Sequence, residues 1–262
     1  MSIDTHAHVF HRGLKFVEPR RFTPACDAPL DAYLAHLDAN GIERGVLVAV
    51  SVLGNDNTYL LDCLRAQPER LRGVVAIDPA TDLDRFDGFD AAGVVGVRVN
   101  LTGNLPAPAF TAGPWKEAVA ECVKRGWHIE INDRAARLHA SLTPLVNAGV
   151  KVVVDHFGMP DRQQGTDDPG FRRLLEFASG GKVWVKLSGA YRTSFDIARA
   201  AAPLLRDAFG PQRLLWASDW PFTQYESTQD YATQRAALDE WIPDAKERQT
   251  ILCDTPRSLF RF

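Results

Sequence analysis

The fold class that this sequence predicts is α/β, a (β/α)8 barrel of TIM type forming a single domain over residues 1–262, and three observations predict it. Eight short runs rich in β-branched residues alternate with eight segments of helical spacing. The chain of 262 residues has the length that such a barrel takes as one domain. No GxGxxG or P-loop marks an open nucleotide-binding sheet. Alternation of this kind implies parallel strands joined by right-handed crossovers, and a count of eight favours closure.

The elements follow in order. A strand over 3–9 (IDTHAHV) leads to a helix over 30–40, where Leu30, Tyr33, Leu34 and Leu37 share one face. Strands over 45–51 and 73–78 bracket a helix at 57–66, and a helix at 83–91 precedes the strand at 95–100. Pro114 opens the helix over 114–125, and Gly126 stands at its expected C-cap; Gly41 and Gly149 have the same place after their own helices. The strand WHIEIN (127–132) is followed by a helix at 134–147 and a strand at 151–155. Asp167 and Asp168 announce a helix over 169–179. A strand at 183–188, a helix at 195–209, a strand at 214–219 and a helix at 228–241 complete the alternation.

Composition sets the broad class. Charged residues are 24% of the chain and the formal net charge is -3, without a basic stripe, so neither nucleic acid nor an anionic membrane surface is an expected partner. The longest apolar runs are strand-sized, well short of the roughly 18 residues of a membrane span. The N-terminus shows no leader pattern. Four scattered cysteines without CxxC spacing fit reduced thiols, and the expected location is cytoplasmic. A small molecule is the expected partner, with self-association left open.

Strand parity then sorts side chains. Outward residues pack against the helices and should be apolar, so alternate residues point inside. By this rule His128, Glu130 and Asn132 face inward, as do Arg98 and Asn100, and Trp184, Lys186 and Ser188. In the first strand Ile3, Thr5, Ala7 and Val9 go outward, leaving Asp4, His6 and His8 inside. Buried charge is costly unless paired, so an interior this polar points to a built site.

Barrel active sites lie at the C-terminal strand ends. Those ends supply His8, Ser51, Arg98, Asn100, Asn132, His156, Ser188 and Asp219, with His6 just inside. Three histidines and an aspartate at one mouth suit hydrolytic or metal chemistry. Taken singly, Asp219 before Trp-Pro also fits a helix N-cap.

The runs DTHAH, VDHFG and ASDWP at the first, sixth and last strands resemble the amidohydrolase superfamily. SVLGNDN, GVRVN, VKLSGAYR and DTPRSLF narrow the resemblance to the branch of 2-pyrone-4,6-dicarboxylate lactonases and sugar lactonases, over essentially the whole chain. The resemblance implies a hydrolase that opens a carboxylated or polyhydroxylated lactone. Asp219 would be general base and acid, while His6, His8 and His156 polarise the carbonyl. Arg98, Arg192, Ser51, Ser188 and Asn132 would bind substrate. A zinc-dependent decarboxylase or lyase, or a lactone isomerase, is the alternative on the same barrel.

Relatives with two metals carry a bridging lysine on the fourth strand, and relatives with one add a histidine after the fifth. Arg98, Asn100 and Asn132 stand at those places, so no cofactor is the first expectation. One Zn2+ on His6, His8, His156 and Asp219 is the alternative. The dicarboxylate lactonases carry further arginines after the fourth and sixth strands, where this chain has LTGN and Met159. That shortage points to a substrate with one carboxylate, or to a sugar lactone, unless the first loop (His11, Arg12, Lys15, Arg20, Arg21) restores the charge. Trp220 and Phe222 are expected to wall the pocket, and Trp184 to belong to the core.

Overall fold

A computed structural model describes residues 1–262. The expected eight strands are all present: β1 (Ile3–Ala7), β2 (Arg44–Val48), β3 (Leu71–Val75), β4 (Val94–Asn100), β5 (His128–Asn132), β6 (Lys151–Val154), β7 (Val183–Leu187) and β8 (Leu214–Trp216). They pair in sequence order, each ladder parallel. Closure is made just beyond β8. Ala7 bridges to Trp220, His8 N–H donates to the Trp220 carbonyl at 2.8 Å, and Asp219 N–H donates to the His6 carbonyl at 3.0 Å. The backbone that closes the barrel is therefore the backbone that carries His6, His8 and Asp219.

Between the strands run α1 (Leu30–Ala39), α2 (Thr58–Ala66), α3 (Phe86–Ala91), α4 (Gly113–Arg125), α5 (Ala135–Asn147), α6 (Pro169–Glu176), α7 (Phe195–Phe209) and α8 (Tyr231–Trp241). Their starts have local causes. Asp168 caps α6 through Gly170 N–H, Ser194 caps α7 through Ile197 N–H and Asp230 caps α8 through Thr233 N–H, each satisfying an otherwise orphaned donor. Outward strand residues such as Val97, Ile129, Ile131 and Val185 pack with the inner helix faces as the main core. No helix is long and apolar enough to cross a membrane, and all four cysteines are free thiols.

Two short helices, α9 (Ala245–Gln249) and α10 (Thr255–Leu259), follow α8 and were not expected. They bring Leu259 and Phe260 against Val46, Val48, Val74, Val153 and Leu215. This apolar cluster floors the barrel. Trp184 packs on it and donates its indole N–H to the Gln212 carbonyl at 3.2 Å, the core position expected of it. His128 also belongs to this depth, its ring 5.2 Å from that of Phe260, well below the mouth.

Apart from Val95, which an irregular β3–β4 ladder turns to the floor, parity holds except in β1. Its ladder with β2 is irregular between Asp4 and Ala7, so Asp4 and His6 do not share a face. Ile3 packs with the floor instead of the helices. Asp4 turns outward and accepts from Tyr33 of α1 at 3.2 Å and Tyr231 of α8 at 2.9 Å. Ser218 adds its N–H at 2.9 Å and its hydroxyl at 2.6 Å. The expectation that Asp4 lines the interior is thus corrected: it ties β1, the β8 end and two helices together. Gly45 permits this, because a Cβ there would stand 2.3 Å from the Tyr33 hydroxyl.

Candidate active site

Beneath the mouth lies a buried charge layer. Lys186 of β7 pairs with Glu130 of β5 and lies 3.3 Å from Asp155 Oδ1 and 2.9 Å from His6 Nδ1. Arg98 of β4 donates to the Ala49 carbonyl at 2.8 Å and reaches Asp155 Oδ2 at 3.4 Å. Burial opposes ionisation of both carboxyls, yet the Lys186 ammonium and His6 hold Glu130 well below the usual carboxylate range and Asp155 at about 2. Two cations thus balance two fully buried anions, which is how buried charge is tolerated.

This layer sets the state of the histidines above it. His6 Nδ1 stands 3.2 Å from Glu130 Oε1 and 3.3 Å from Asp155 Oδ1. Burial and Lys186 disfavour a charged His6, but the two carboxylates outweigh them and raise its pKa. His8 Nδ1 is 2.7 Å from the Val48 carbonyl, an acceptor only, so that nitrogen carries the proton. Burial, then His6 and Arg98, push the His8 pKa far down, leaving a neutral ring whose Nε2 is a lone pair. His6 Nε2 is 3.3 Å from that lone pair. Something positive must stand between the two nitrogens, and a proton on His6 Nε2 meets the need.

His156 and Asp219 face this pair. His156 has φ 49 and Asp219 φ 62, left-handed backbone at two non-glycine residues. Such conformations cost roughly 1–3 kcal/mol each and cluster at functional sites. Asp219 caps no helix: the next helix starts at Tyr231. Its Oδ2 accepts from the Tyr191 hydroxyl at 2.7 Å and from Arg192 Nε at 2.6 Å, while Oδ1 has no hydrogen-bond partner and lies 3.9 Å from His6 Nε2. Burial would raise this carboxyl, but the Arg192 guanidinium, with His156 and His6, holds it well below the usual carboxylate range. Burial also keeps His156 neutral, its pKa down at about 3. Gly189 lets the groups meet: a Cβ there would stand 2.8 Å from His156 Nδ1 and 2.9 Å from Asp219 Oδ2. No other residue type fits that turn of VKLSGAYR.

The residues expected to bind substrate divide by place. Ser51 and Arg98 line a cavity of about 570 Å³ at the β2–β4 ends, along with Asn100. Arg192 lines a second cavity of about 480 Å³ on the β6–β7 side. Asn132 is buried at the end of β5, level with Asn100, its Oδ1 unpartnered. Ser188 already has a partner, His156 Nδ1 at 2.9 Å. Trp220, expected in the pocket wall, stacks instead on Tyr33 of α1 at 5.5 Å, because the residue after Asp219 in the closing segment points to the helices. Phe222 is buried edge-on to Tyr191. Trp115 is the tryptophan that lines the larger cavity. Asp155 was not singled out from sequence, and Tyr191 only as an aromatic of the pocket wall, not as a partner of Asp219; their adjacency to His156 and Arg192 was the available signal.

The donors also fit a divalent ion. His6 Nε2, His8 Nε2 and Asp219 Oδ1 lie within 4.8 Å of one another, as do donors from His6, Asp155 and His156. The 3.3 Å between His6 and His8 matches the roughly 3.4 Å edge of a tetrahedron with ligands at about 2.1 Å. Such an ion would supply Lewis-acid polarisation of a carbonyl.

A closed parallel barrel with three histidines and an ionised aspartate at its C-terminal mouth defines the class as an acid–base or metal-assisted barrel enzyme. Within that class the chain belongs to the amidohydrolase family, whose profile matches residues 3–262. It is 30% identical to the 4-sulfomuconolactone hydrolase of Hydrogenophaga intermedia, over 99% of this chain and 88% of that one. It is likewise 30% identical to a 2-pyrone-4,6-dicarboxylate hydrolase of Comamonas testosteroni, over 99% and 90% of the two chains. A crystal structure from Acinetobacter baumannii, named as a probable 2-pyrone-4,6-dicarboxylic acid hydrolase with citric acid bound, superposes with a TM-score of 0.95 at 32% identity, covering 100% and 99%.

Proposed function

We propose that the protein hydrolyses a lactone bearing at least one anionic group, with Asp219 as base. The observation that carries this is the unpartnered Oδ1 of a buried, ionised Asp219 set 3.9 Å from His6 Nε2, which puts a base and a histidine donor side by side at one mouth. Relatives named as hydrolases of 4-sulfomuconolactone and 2-pyrone-4,6-dicarboxylate match this chain in sequence over 88% and 90% of their own length.

The carbonyl oxygen takes the place of His8 Nε2 as acceptor of the His6 Nε2 proton and accepts from His156 Nε2 on the other side. A water held by Asp219 gives up its proton to Oδ1 as its oxygen bonds to the carbonyl carbon. The oxyanion is stabilised by those two donors, aligned before the reaction begins. The ring C–O bond then breaks, and the proton on Asp219 passes to the leaving ring oxygen. The product is a hydroxy acid that ionises at neutral pH, releasing one proton. His8, neutral with Nε2 bare, holds the His6 proton until the substrate carbonyl replaces it, and does not itself donate. This refines the expectation that all three histidines polarise the carbonyl.

The substrate's anion has a second consequence. Arg192 now clamps Asp219 Oδ2. A carboxylate of the substrate competes for that guanidinium through paired donors, which loosens its hold on the base.

The steps need no metal, in keeping with an arginine on β4 and an asparagine at the end of β5. Enzyme dialysed against a strong chelator and freed of zinc, as verified by elemental analysis, is expected to open a panel of anionic lactones with one proton released per turnover. Activity that appears only when zinc is restored would refute the metal-free reading.

A further inference from the structure

The larger cavity, about 570 Å³ at the β2–β4 ends, has the size of sites that hold drug-sized molecules, more than one lactone ring requires. It opens beside the reaction centre. Ala49, in its wall, holds Arg98 through its carbonyl, and Val48, one residue earlier, holds His8 Nδ1 in the same way. Several polar groups of the wall already have partners. Asn100 Oδ1 accepts from the Thr102 N–H at 3.1 Å and from its hydroxyl at 2.7 Å. Arg98 donates to Asp155 as well as Ala49, and Arg20 is bonded to Glu18 and to the Thr23 hydroxyl. Arg21 is exposed, and its stem crosses the loop after β4, with Cδ 3.3 Å from where a Cβ on Gly103 would be. Its methylenes therefore run along the wall.

What remains of the wall is apolar. Its outer part is the loop between β4 and α4, and residues 101–115 carry no charge. Leu105 is 54% exposed, the most open of the large hydrophobic side chains, and it lines the cavity with Pro106, Pro108 and Trp115. A lone exposed leucine needs no explanation, but four apolar side chains around one cavity do. The loop is held in place. Arg137 of α5, itself 3.2 Å from Asp133, donates to the Leu105 carbonyl, and the buried Phe110 packs edge-on against Trp115 at 5.5 Å. A wall stiffened by two prolines and an anchored indole loses little freedom when a ligand covers it.

We infer that this cavity binds an apolar substituent of the substrate, an alkyl or aryl group on the lactone ring, so that the preferred substrates carry one anion and one hydrophobic arm. This rests on the lactone-hydrolase reading. With the lactone carbonyl at His6 and Asp219, the arm passes Ala49 and Arg98 and ends on Leu105 and Trp115. Covering that wall removes apolar surface from water on both partners, which is the source of the preference.

Lactones with one carboxylate and a ring substituent lengthened from hydrogen through methyl and ethyl to propyl, assayed with the full-length protein, test this. In wild type kcat/KM should climb about fourfold with each methylene, the effect of burying one such group. The climb should lie in KM. In Leu105→Ser and in Trp115→Ala the ratio of propyl over unsubstituted lactone should fall by about fourfold or more, at least one methylene's worth. Leu105 is exposed on a loop, so its variant should fold even if Trp115→Ala does not, and a thermal melt checks both. A flat series in wild type, a carboxymethyl substituent that outperforms propyl, or a ratio unaltered in Leu105→Ser would overturn the apolar site while leaving lactone hydrolysis standing. A wild-type protein that opens no member of the series would overturn the underlying reading and the inference with it.

Discussion

Asp219→Asn is expected to lower kcat by about 10²- to 10⁴-fold, the range that a positioned general base supplies. The substitution is nearly isosteric and keeps an oxygen for the Tyr191 hydroxyl and Arg192 Nε, the two groups now bonded to Oδ2. The barrel should stay folded, and only the capacity to accept the water's proton is lost. Steady-state kinetics on an anionic lactone, with a thermal melt as control, measure both. A variant that keeps more than a tenth of wild-type turnover would show that the proton goes elsewhere.

Lys186→Met should have the largest effect on stability, a loss of about 3–5 kcal/mol, because it strands buried anions without their cation. Glu130 and Asp155 are fully enclosed, and Lys186 contacts both. Folding that variant requires one carboxyl to take up a proton or water to enter the barrel. Adding Glu130→Gln to Lys186→Met should recover part of the loss, since the two residues act as one unit. Urea unfolding of the single and double variants reads this out. A single-variant cost under about 1 kcal/mol would mean that the charge layer is held by something other than this pairing.

Most of the barrel was legible because each strand must hide an apolar outer face, so WHIEIN and KVWVKLS reveal their interior residues by alternation alone. Glu130, Lys186 and Arg98 came out inside for that reason. The rule failed in β1, where an irregular ladder turns Asp4 to the helices while His6 stays within. Nothing in IDTHA signals that shift, since both faces of β1 carry polar residues. The same limit applies past β8: the closing segment leaves strand geometry, so Trp220 goes to α1 although it follows the base directly. The barrel floor from α10 was hidden because a five-residue helix is too short to show a period. In the site itself residue types were readable, but protonation was not. That His8 accepts while His6 donates follows from the Val48 carbonyl and the paired carboxylates, contacts made by residues distant in sequence.

The central claim is that Asp219 directs water onto a lactone carbonyl. Turnover of an anionic lactone in ¹⁸O-labelled water, with the product weighed by mass spectrometry, tests it most directly. One labelled oxygen in the new carboxylate of a ring-opened hydroxy acid is the predicted result. A product of the substrate's own mass with no label would mean that the barrel rearranges its lactone, and would contradict the account.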